Sequence, residues 1–161
     1  MNTYQNFIGI DPGLSGAIAS ISPAGITFID CPTIKVNGKT KPNPTLMASE
    51  LKQLVTSDSI IIIESVHAMP GQGVSSMFSF GMGYGVWLGI VAALNVPIEF
   101  VTPQCWKKYY GLSTDKESSR VKALQLFPNE ANNLKLKKHH GRAEALLLAE
   151  YLRRKLLISV A

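Results

Sequence analysis

Residues 7–17 read Phe-Ile-Gly-Ile-Asp-Pro-Gly-Leu-Ser-Gly-Ala. A short apolar run ends here at Asp-Pro-Gly, a combination typical of a turn. Two more apolar runs follow, at 17–21 and 26–29, and Ser22-Pro23-Ala24-Gly25 separates them. The pattern predicts three antiparallel strands within the first thirty residues, with Asp11 at the end of the first strand.

The rest of the chain alternates between helical and strand patterns. Ser59 to Glu64 contains four consecutive isoleucines, which predict a strand buried on both faces. The spacing of apolar residues predicts five helices and one more strand: helices over 45–55, 74–94, 103–111, 116–127 and 142–157, and a strand over 97–101. At 161 residues, with no repeat or linker, residues 1–161 are expected to form a single α/β domain.

Composition excludes a disordered or fibrous chain, since 46% of the residues are hydrophobic and 17% are charged. The formal net charge is +5, and the cations are unevenly placed. Lys35, Lys39 and Lys41 share a Pro/Gly/Asn-rich segment expected to be a loop. Residues 107–142 hold nine cations against three acids. Such runs are compatible with solvated helix faces or with a surface that binds phosphates.

Cellular location is inferred from what the sequence lacks. Residues 1–6 have no positively charged segment followed by an apolar one, so no secretory signal is expected. Residues 81–94 are too few and too glycine-rich to span a bilayer, so we expect a cytoplasmic protein with no membrane partner. Cys31 and Cys105 lie far apart and are expected to be buried, reduced thiols.

Two acids follow strands expected at the centre of the sheet. Asp11 ends the first strand and Glu64 ends the isoleucine strand. If these strands are neighbours, the carboxylates converge and repel each other, and a divalent cation such as Mg²⁺ or Mn²⁺ would relieve the repulsion. Taken singly, each acid could equally be a solvated turn former.

A third group lies at the start of the last helix. His140 and Glu144 are four residues apart and share one helix face or its N-terminal edge. Glu144 is expected in the first turn, where the helix dipole favours an anion. Alternatively, His139 and His140 have no catalytic role and extend the exposed basic segment at 135–138.

These motifs together resemble the RuvC-like Holliday junction resolvases of the RNase H-like superfamily, most closely the bacteriophage and monokaryotic-chloroplast branch. Three stretches carry the resemblance in order: Ile8 to Ala17, Ile61 to Glu64, and His140-Gly141-Arg142-Ala143-Glu144. The segments around 69–73, 81–89, 102–108 and 116–123 also fit. The Asp-Pro-Gly motif alone is weak evidence for this family, because actin-like folds also begin with a strand, an acidic residue and a glycine turn. An actin-like ATPase fragment is not expected, because that class has a second, similar domain and these 161 residues are expected to form one domain.

The resemblance implies a mixed five-stranded sheet flanked by helices, a homodimer, and metal-dependent endonuclease activity on four-way DNA junctions in recombination and repair. It implies two Mg²⁺ ions per site, with Mn²⁺ possible, and catalytic ligands at Asp11, Glu64, His140 and Glu144. Asp11 would bridge both ions, and Glu64 and Glu144 would each complete one coordination shell. The branch has Asp where this chain has His140, so His140 is either a native ligand or proton acceptor, or an inactivating substitution.

The expected DNA-binding surface follows the fifth strand of the sheet and includes the start of the long helix. Aromatic side chains there could wedge between unpaired bases or pack in the core. Its residues are Lys107, Lys108, Lys116, Arg120, Lys122, Ser76, Phe78 and Phe80. Glycines at 81, 85 and 89 line one helix face, which predicts the dimer contact. A non-catalytic junction-binding protein and a nuclease acting on flaps or replication forks remain alternatives.

Overall fold

The computed structural model describes residues 4–159, so residues 1–3 of the segment examined for a secretory signal lie outside the described residues. The strands are β1 (Asn6–Asp11), β2 (Ala17–Ser22), β3 (Gly25–Asp30), β4 (Thr33–Val36), β5 (Lys39–Pro42), β6 (Ser59–Glu64) and β7 (Ile98–Val101). The helices are α1 (Pro44–Leu54), α2 (Val74–Leu94), α3 (Pro103–Tyr110), α4 (Lys116–Leu126), α5 (Ala131–Leu134) and α6 (His140–Ser159).

The main sheet has five strands in the order β3-β2-β1-β6-β7. β2 is antiparallel to both β1 and β3, whereas β6 is parallel to both β1 and β7. The mixed sheet with three antiparallel strands is therefore confirmed. Because β1 and β6 are parallel neighbours, Asp11 and Glu64 leave the sheet at the same edge.

Each face of the sheet has its own core. Ile8, Ile10, Ile61 and Ile63 pack with side chains from α1 and α2 on one face. The alternate residues of the same strands pack with α3, α4 and α6 on the other face. Side chains alternate between faces along a strand, so both central strands are buried on both sides. Asp11 and Glu64 share the register of the face that α6 covers.

A glycine lets α6 lie close to β1. A Cβ atom on Gly9 would come within 2.1 Å of the Ala145 carbonyl oxygen and 2.7 Å of the Ala149 amide nitrogen. Gly141 makes a similar approach, since its Cβ would lie 2.3 Å from the Ser15 carbonyl oxygen. These two contacts fix the start of α6 against the segment that carries Asp11.

Residues 33–42 differ from the expected loop. They form a two-stranded antiparallel ribbon, separate from the main sheet, in which Val36 pairs with Lys39. Asn37 and Gly38 form its turn with φ values of 50° and 74°. Positive φ at both central positions suits an Asn-Gly hairpin turn, which explains why the chain reverses there. We call residues 33–42 the basic hairpin.

Other expectations also need correction. α6 begins at His140 rather than at 142, so Glu144 lies beyond the first turn, where the helix dipole has less influence. His139 is buried rather than exposed, because the turn at 137–139 folds it inward, and its Nδ1 accepts a hydrogen bond of 3.4 Å from the Leu136 amide. Cys31 is buried as expected, but Cys105 is exposed because it faces outward from α3.

α2 is unusual in being long, apolar and exposed. Its 21 residues are, by length and composition alone, enough to cross a membrane, with a mean hydropathy of 1.6 in the most apolar window. The expectation that this segment is too short to span a bilayer considers residues 81–94 alone, whereas the apolar helix begins earlier, at Val74. One side of α2 nevertheless belongs to the domain, since Trp87 and Val91 are buried in the core beneath the sheet. The opposite side faces outward.

Candidate active site

Three carboxylates from three elements are gathered at one edge of the sheet. Asp11 ends β1, Glu64 ends β6, and Glu144 projects from α6. All three are partly or fully buried. They influence one another electrostatically, because the charges of Glu144 and Glu64 both raise the pKa of Asp11.

Asp11 has the most perturbed environment of the three. Burial raises its pKa well above the ordinary value, and the neighbouring negative charges of Glu144 and Glu64 raise it further. Lys116 and Lys107 act in the opposite direction. The pKa of Asp11 is raised on balance, so the two lysines offset the negative charge of this cluster only in part.

Glu64 is oriented by a tryptophan from α3. The Trp106 indole N–H donates a hydrogen bond of 2.6 Å to Oε2 of Glu64. Burial raises the pKa of Glu64, the Trp106 hydrogen bond lowers it, and the charge of Glu144 raises it again. Trp106 is itself fully buried, so its fixed indole ring restricts the carboxylate to one position.

Glu144 is held by two residues from other helices. The buried Ser119 hydroxyl, on α4, donates a hydrogen bond of 3.2 Å to Oε1 of Glu144. Lys107, on α3, places its Nζ 3.5 Å from the same oxygen. The Lys107 ammonium also lies 5.3 Å from the centre of the Trp106 ring. Lys107 therefore belongs to the carboxylate cluster rather than to an outer rim.

His140 occupies the first residue of α6, one helical turn before Glu144. It is partly buried, and no other described residue forms a hydrogen bond or ion pair with it. The structure thus brings Asp11, Glu64 and Glu144 into electrostatic contact, whereas His140 has no hydrogen-bond or ion-pair partner among residues 4–159. Across those residues, no three His, Cys, Asp or Glu side chains lie close enough together to hold a metal ion.

The residues expected to bind DNA fall into different environments. Lys107 and Lys116 lie within electrostatic reach of Asp11, and Lys108 is exposed on α3. Arg120 already has partners within the protein: it forms an ion pair with Glu117 and donates hydrogen bonds to the carbonyl oxygens of residues 134 and 135. Lys122 is half-buried on α4.

The start of α2 borders a groove next to Asp11. Ser76 and Phe80 line this groove together with the turn that follows β1, at residues 12–15. Phe78 is 68% exposed and Phe80 is 41% exposed, so neither aromatic ring is fully packed in the core. Their exposure suits contact with another molecule.

Several residues that shape the site could not be identified from the sequence. Trp106 and Ser119 orient the two glutamates, yet they lie 42 and 25 residues away from them. Arg142, counted among the basic run, instead forms a two-point ion pair with Asp30 at the end of β3, with distances of 2.6 and 2.7 Å. That pair anchors the start of α6 to the sheet.

The fold and the three acids define a class of protein: an α/β domain with a mixed sheet and a carboxylate cluster where its central strands end. Solved structures of the same fold include Thermus thermophilus RuvC in complex with Holliday junction substrate, with a TM-score of 0.56, 14% identity and coverage of 91% of this chain and 90% of that one. Yeast mitochondrial Holliday junction resolvase Ydc2 gives a TM-score of 0.50 at 16% identity and covers 91% of this chain and 78% of that one.

Sequence comparison points the same way. The chain is 32% identical over 91 residues to the chloroplastic Holliday junction resolvase MOC1 of Chlamydomonas reinhardtii. The match covers 55% of this chain and only 10% of that relative. No protein-family model matches the chain. The resemblance to RuvC-like resolvases inferred from the sequence is confirmed, in fold by the solved structures and in sequence by the chloroplast relative.

Proposed function

We propose that this protein is a metal-dependent endonuclease that binds four-way DNA junctions and resolves them by paired phosphodiester hydrolysis. The observation that carries the proposal is the cluster of Asp11, Glu64 and Glu144 at the edge of a RuvC-like sheet, with Lys107 and Lys116 beside it. Two of the proteins named above, MOC1 and Ydc2, are Holliday junction resolvases, and Thermus thermophilus RuvC was solved in complex with Holliday junction substrate.

The chemistry of the donor set fits divalent cations. Three carboxylates supply the oxygen ligands that Mg²⁺ and Mn²⁺ prefer, and the raised pKa of Asp11 marks negative charge that the protein offsets only in part. Asp11, Glu64 and Glu144 would hold the ions, with His140 as a fourth ligand, once their side chains move closer together than they lie in this structure. Bound there, the ions would act as Lewis acids in phosphodiester hydrolysis.

The protein's own groups have separate tasks in this proposal. Trp106 and Ser119 keep the two glutamates oriented toward the site. Lys107 and Lys116 attract the scissile phosphate and stabilise the charge that develops on it. Lys107 would exchange its contact with Glu144 for one with the phosphate when DNA binds.

Resolution of a junction requires two cuts, which suits a homodimer with one site per chain. The exposed apolar side of α2 supports this arrangement, because it leaves large side chains such as Val74 and Phe78 in contact with solvent. A symmetric dimer would present two carboxylate clusters to two strands of like polarity.

The decisive experiment is the Asp11→Asn variant. We expect it to lose junction cleavage in Mg²⁺ and in Mn²⁺ while binding the junction as tightly as the unmodified protein. The matched control is Asp58→Asn, since Asp58 lies before the opposite end of β6 and should not affect cleavage. Cleavage by Asp11→Asn at the unmodified rate would overturn the assignment of the site.

A second candidate is a protein that binds junctions without cutting them. It is favoured by the contact between Lys107 and Glu144, in which an ammonium group already neutralises one proposed ligand. Binding without nicking in either metal would support it. Flapped and forked DNA in the same assay, as competitors of the junction, would reveal a nuclease with a different preferred structure.

A further inference from the structure

The basic hairpin is a feature that the proposed active site does not use. Lys35, Lys39 and Lys41 all lie on it, and residues 31–49 contain no Asp or Glu. Among residues 4–159, no carboxylate lies within ion-pair distance of any of the three. Lys35 Nζ donates a hydrogen bond of 2.7 Å to the Thr40 hydroxyl across the ribbon, and it makes no ion pair. The hairpin thus presents three uncompensated positive charges.

The position of the hairpin connects it to the carboxylate cluster. Thr40 and Pro42 form one wall of a groove of about 520 Å³ whose other walls are residues 12–15 and the start of α2. Residues 12–15 come directly after Asp11. Cys31 also lines the groove. Burial raises the pKa of its thiol to about 11, and the negative charge of Asp11 adds to this rise.

The hairpin and the lysines of α3 and α4 approach the site from different sides. The groove is lined by Met47 of α1 and Trp87 of α2, so it lies on the α1–α2 face of the sheet. Lys107 and Lys116 belong to helices on the opposite face. Asp11 therefore lies between two basic elements rather than at the edge of one.

The alternation of side chains gives the hairpin one amphipathic surface. Lys39 and Lys41 share a side of the ribbon with Ile34 and Val36, their neighbours across the strands. All four are exposed. Lys35 lies on the opposite side of the ribbon, which it shares with the groove residues Thr40 and Pro42, so the three lysines are divided between the two sides of the hairpin. A surface of this kind can place ammonium groups on phosphates while aliphatic groups contact the sugars. A two-stranded ribbon is also narrow enough to enter a groove of duplex DNA.

We propose that the basic hairpin is a second DNA-binding element, which holds the sugar–phosphate backbone of a duplex arm on the α1–α2 side of the active site. The proposal rests on the proposed function, because it places the hairpin on the same substrate. It adds Lys35, Lys39 and Lys41 to the phosphate-binding groups. Contacts of this type position DNA without reading its sequence.

The test is binding of a labelled four-way junction, without divalent metal, across a salt series. Replacing Lys35, Lys39 and Lys41 together by Ala should reduce the salt dependence of log K by roughly two to three units, about one for each lost phosphate contact. Affinity at 0.1 M salt should fall at least about tenfold. Replacing the same residues by Arg keeps the charge and should preserve both values.

Two controls make the result specific. Lys52→Ala removes one exposed charge from α1, away from the groove, and should leave binding unchanged, whereas Lys41→Ala alone should reduce the slope by about one unit. Because the ribbon is separate from the main sheet, the alanine variants should keep the unmodified melting temperature. A triple alanine variant with unmodified slope and affinity would overturn the proposal and leave the hairpin to another partner.

Failure of the proposed function would look different. If the unmodified protein binds linear duplex of the same sequence as tightly as the junction, junction resolution is contradicted, while the effect of the hairpin variants is still measured on duplex. If the unmodified protein binds neither DNA, both proposals are wrong.

Discussion

Asp11 shows how one residue can be costly to the fold and useful to the site. Its carboxylate is partly withdrawn from solvent and is crowded by two others, and both effects raise its pKa. A sequence under selection for stability alone would place an apolar or amide group there. The arrangement makes sense where a cation or a substrate compensates the charge.

His140 is the residue where metal preference can be tested. A neutral imidazole adds no negative charge to the site, and Mg²⁺ prefers oxygen ligands more strongly than Mn²⁺ does. We expect the unmodified protein to cleave junctions slowly in Mg²⁺ and faster in Mn²⁺, and His140→Asp to gain Mg²⁺ activity. Cleavage rates of both proteins in both metals give the answer.

The control for this experiment is His140→Ala. If His140 accepts a proton from the attacking water, His140→Asp should slow the reaction instead of accelerating it. Full Mg²⁺ activity that does not change in His140→Ala would contradict both roles, and His140 would then be a residue at the start of α6 with no part in the reaction.

At the scale of elements, the contact between β1 and α6 determines where Glu144 lies. In Gly9→Ala, the added methyl group would collide with backbone atoms of α6, which cannot rotate away as a side chain can. We expect a loss of about 1–3 kcal/mol or more in the free energy of unfolding, measured by urea denaturation. Cleavage should fall as well, because α6 carries Glu144.

Gly13→Ala is the matched control for stability, because the added Cβ would meet nothing closer than 3.8 Å. Its unfolding free energy should stay close to that of the unmodified protein. Equal stability of the two variants would show that α6 can shift without cost and that the close contact is unimportant.

Further along α6, Glu150 is buried and held by two arginines of the same helix. Arg153 Nε lies 2.7 Å from Oε2, and Arg154 Nε lies 2.6 Å from Oε1. Burial alone would raise the pKa of Glu150, but the hydrogen bonds from Arg153 and Arg154 outweigh it and lower the pKa. In the unmodified protein, Glu150 therefore stabilises the fold above pH about 4.5 and loses this effect as the pH falls.

Replacing Arg153 and Arg154 together by Met should reverse the pH dependence. The buried carboxylate would lose both partners, at a cost of about 3–5 kcal/mol at pH 7. Its folded-state pKa would then exceed the unfolded value, so the variant should gain stability as the pH falls from 7 to 5. Urea denaturation at several pH values measures this, and adding Glu150→Gln should abolish the pH effect. If the unfolding free energy of the double Met variant did not change with pH, the predicted role of the two arginines would be contradicted.

The elements differ in how far they could be predicted. The strand β6 and the turn after β1 could be predicted from their own residues. The isoleucine run is typical of a buried strand and Asp-Pro-Gly is typical of a turn, and the tertiary structure keeps both. The basic hairpin was missed although Asn37-Gly38 is a strong turn signal, since its lysines and flanking prolines favour a loop. Trp106 and Ser119 could not be assigned, because only the packing of α3 and α4 brings them to the glutamates.

At the scale of the whole molecule, the outer side of α2 is an exposed apolar surface that the carboxylate cluster does not explain. Val74, Phe78 and Met82 lie four residues apart on it and are 86%, 68% and 48% exposed. A Cβ on Gly81, Gly85 or Gly89 would meet nothing within 4 Å. A bare apolar stripe of this size is typical of an interface with another molecule.

We expect α2 to pair with α2 of a second copy, because glycines at four-residue spacing allow two helices to approach closely. Gly85→Leu should then separate the copies and weaken the dimer at least tenfold, measured by sedimentation equilibrium at micromolar concentration. Gly85→Ala, which adds one methyl group, should change the dissociation constant far less. If the unmodified protein sediments as a monomer and floats with lipid vesicles, α2 instead binds a membrane, as its length and hydropathy alone would allow. A dimer whose dissociation constant is unchanged by Gly85→Leu would place the interface elsewhere, and the two carboxylate clusters would then face the junction from a different geometry.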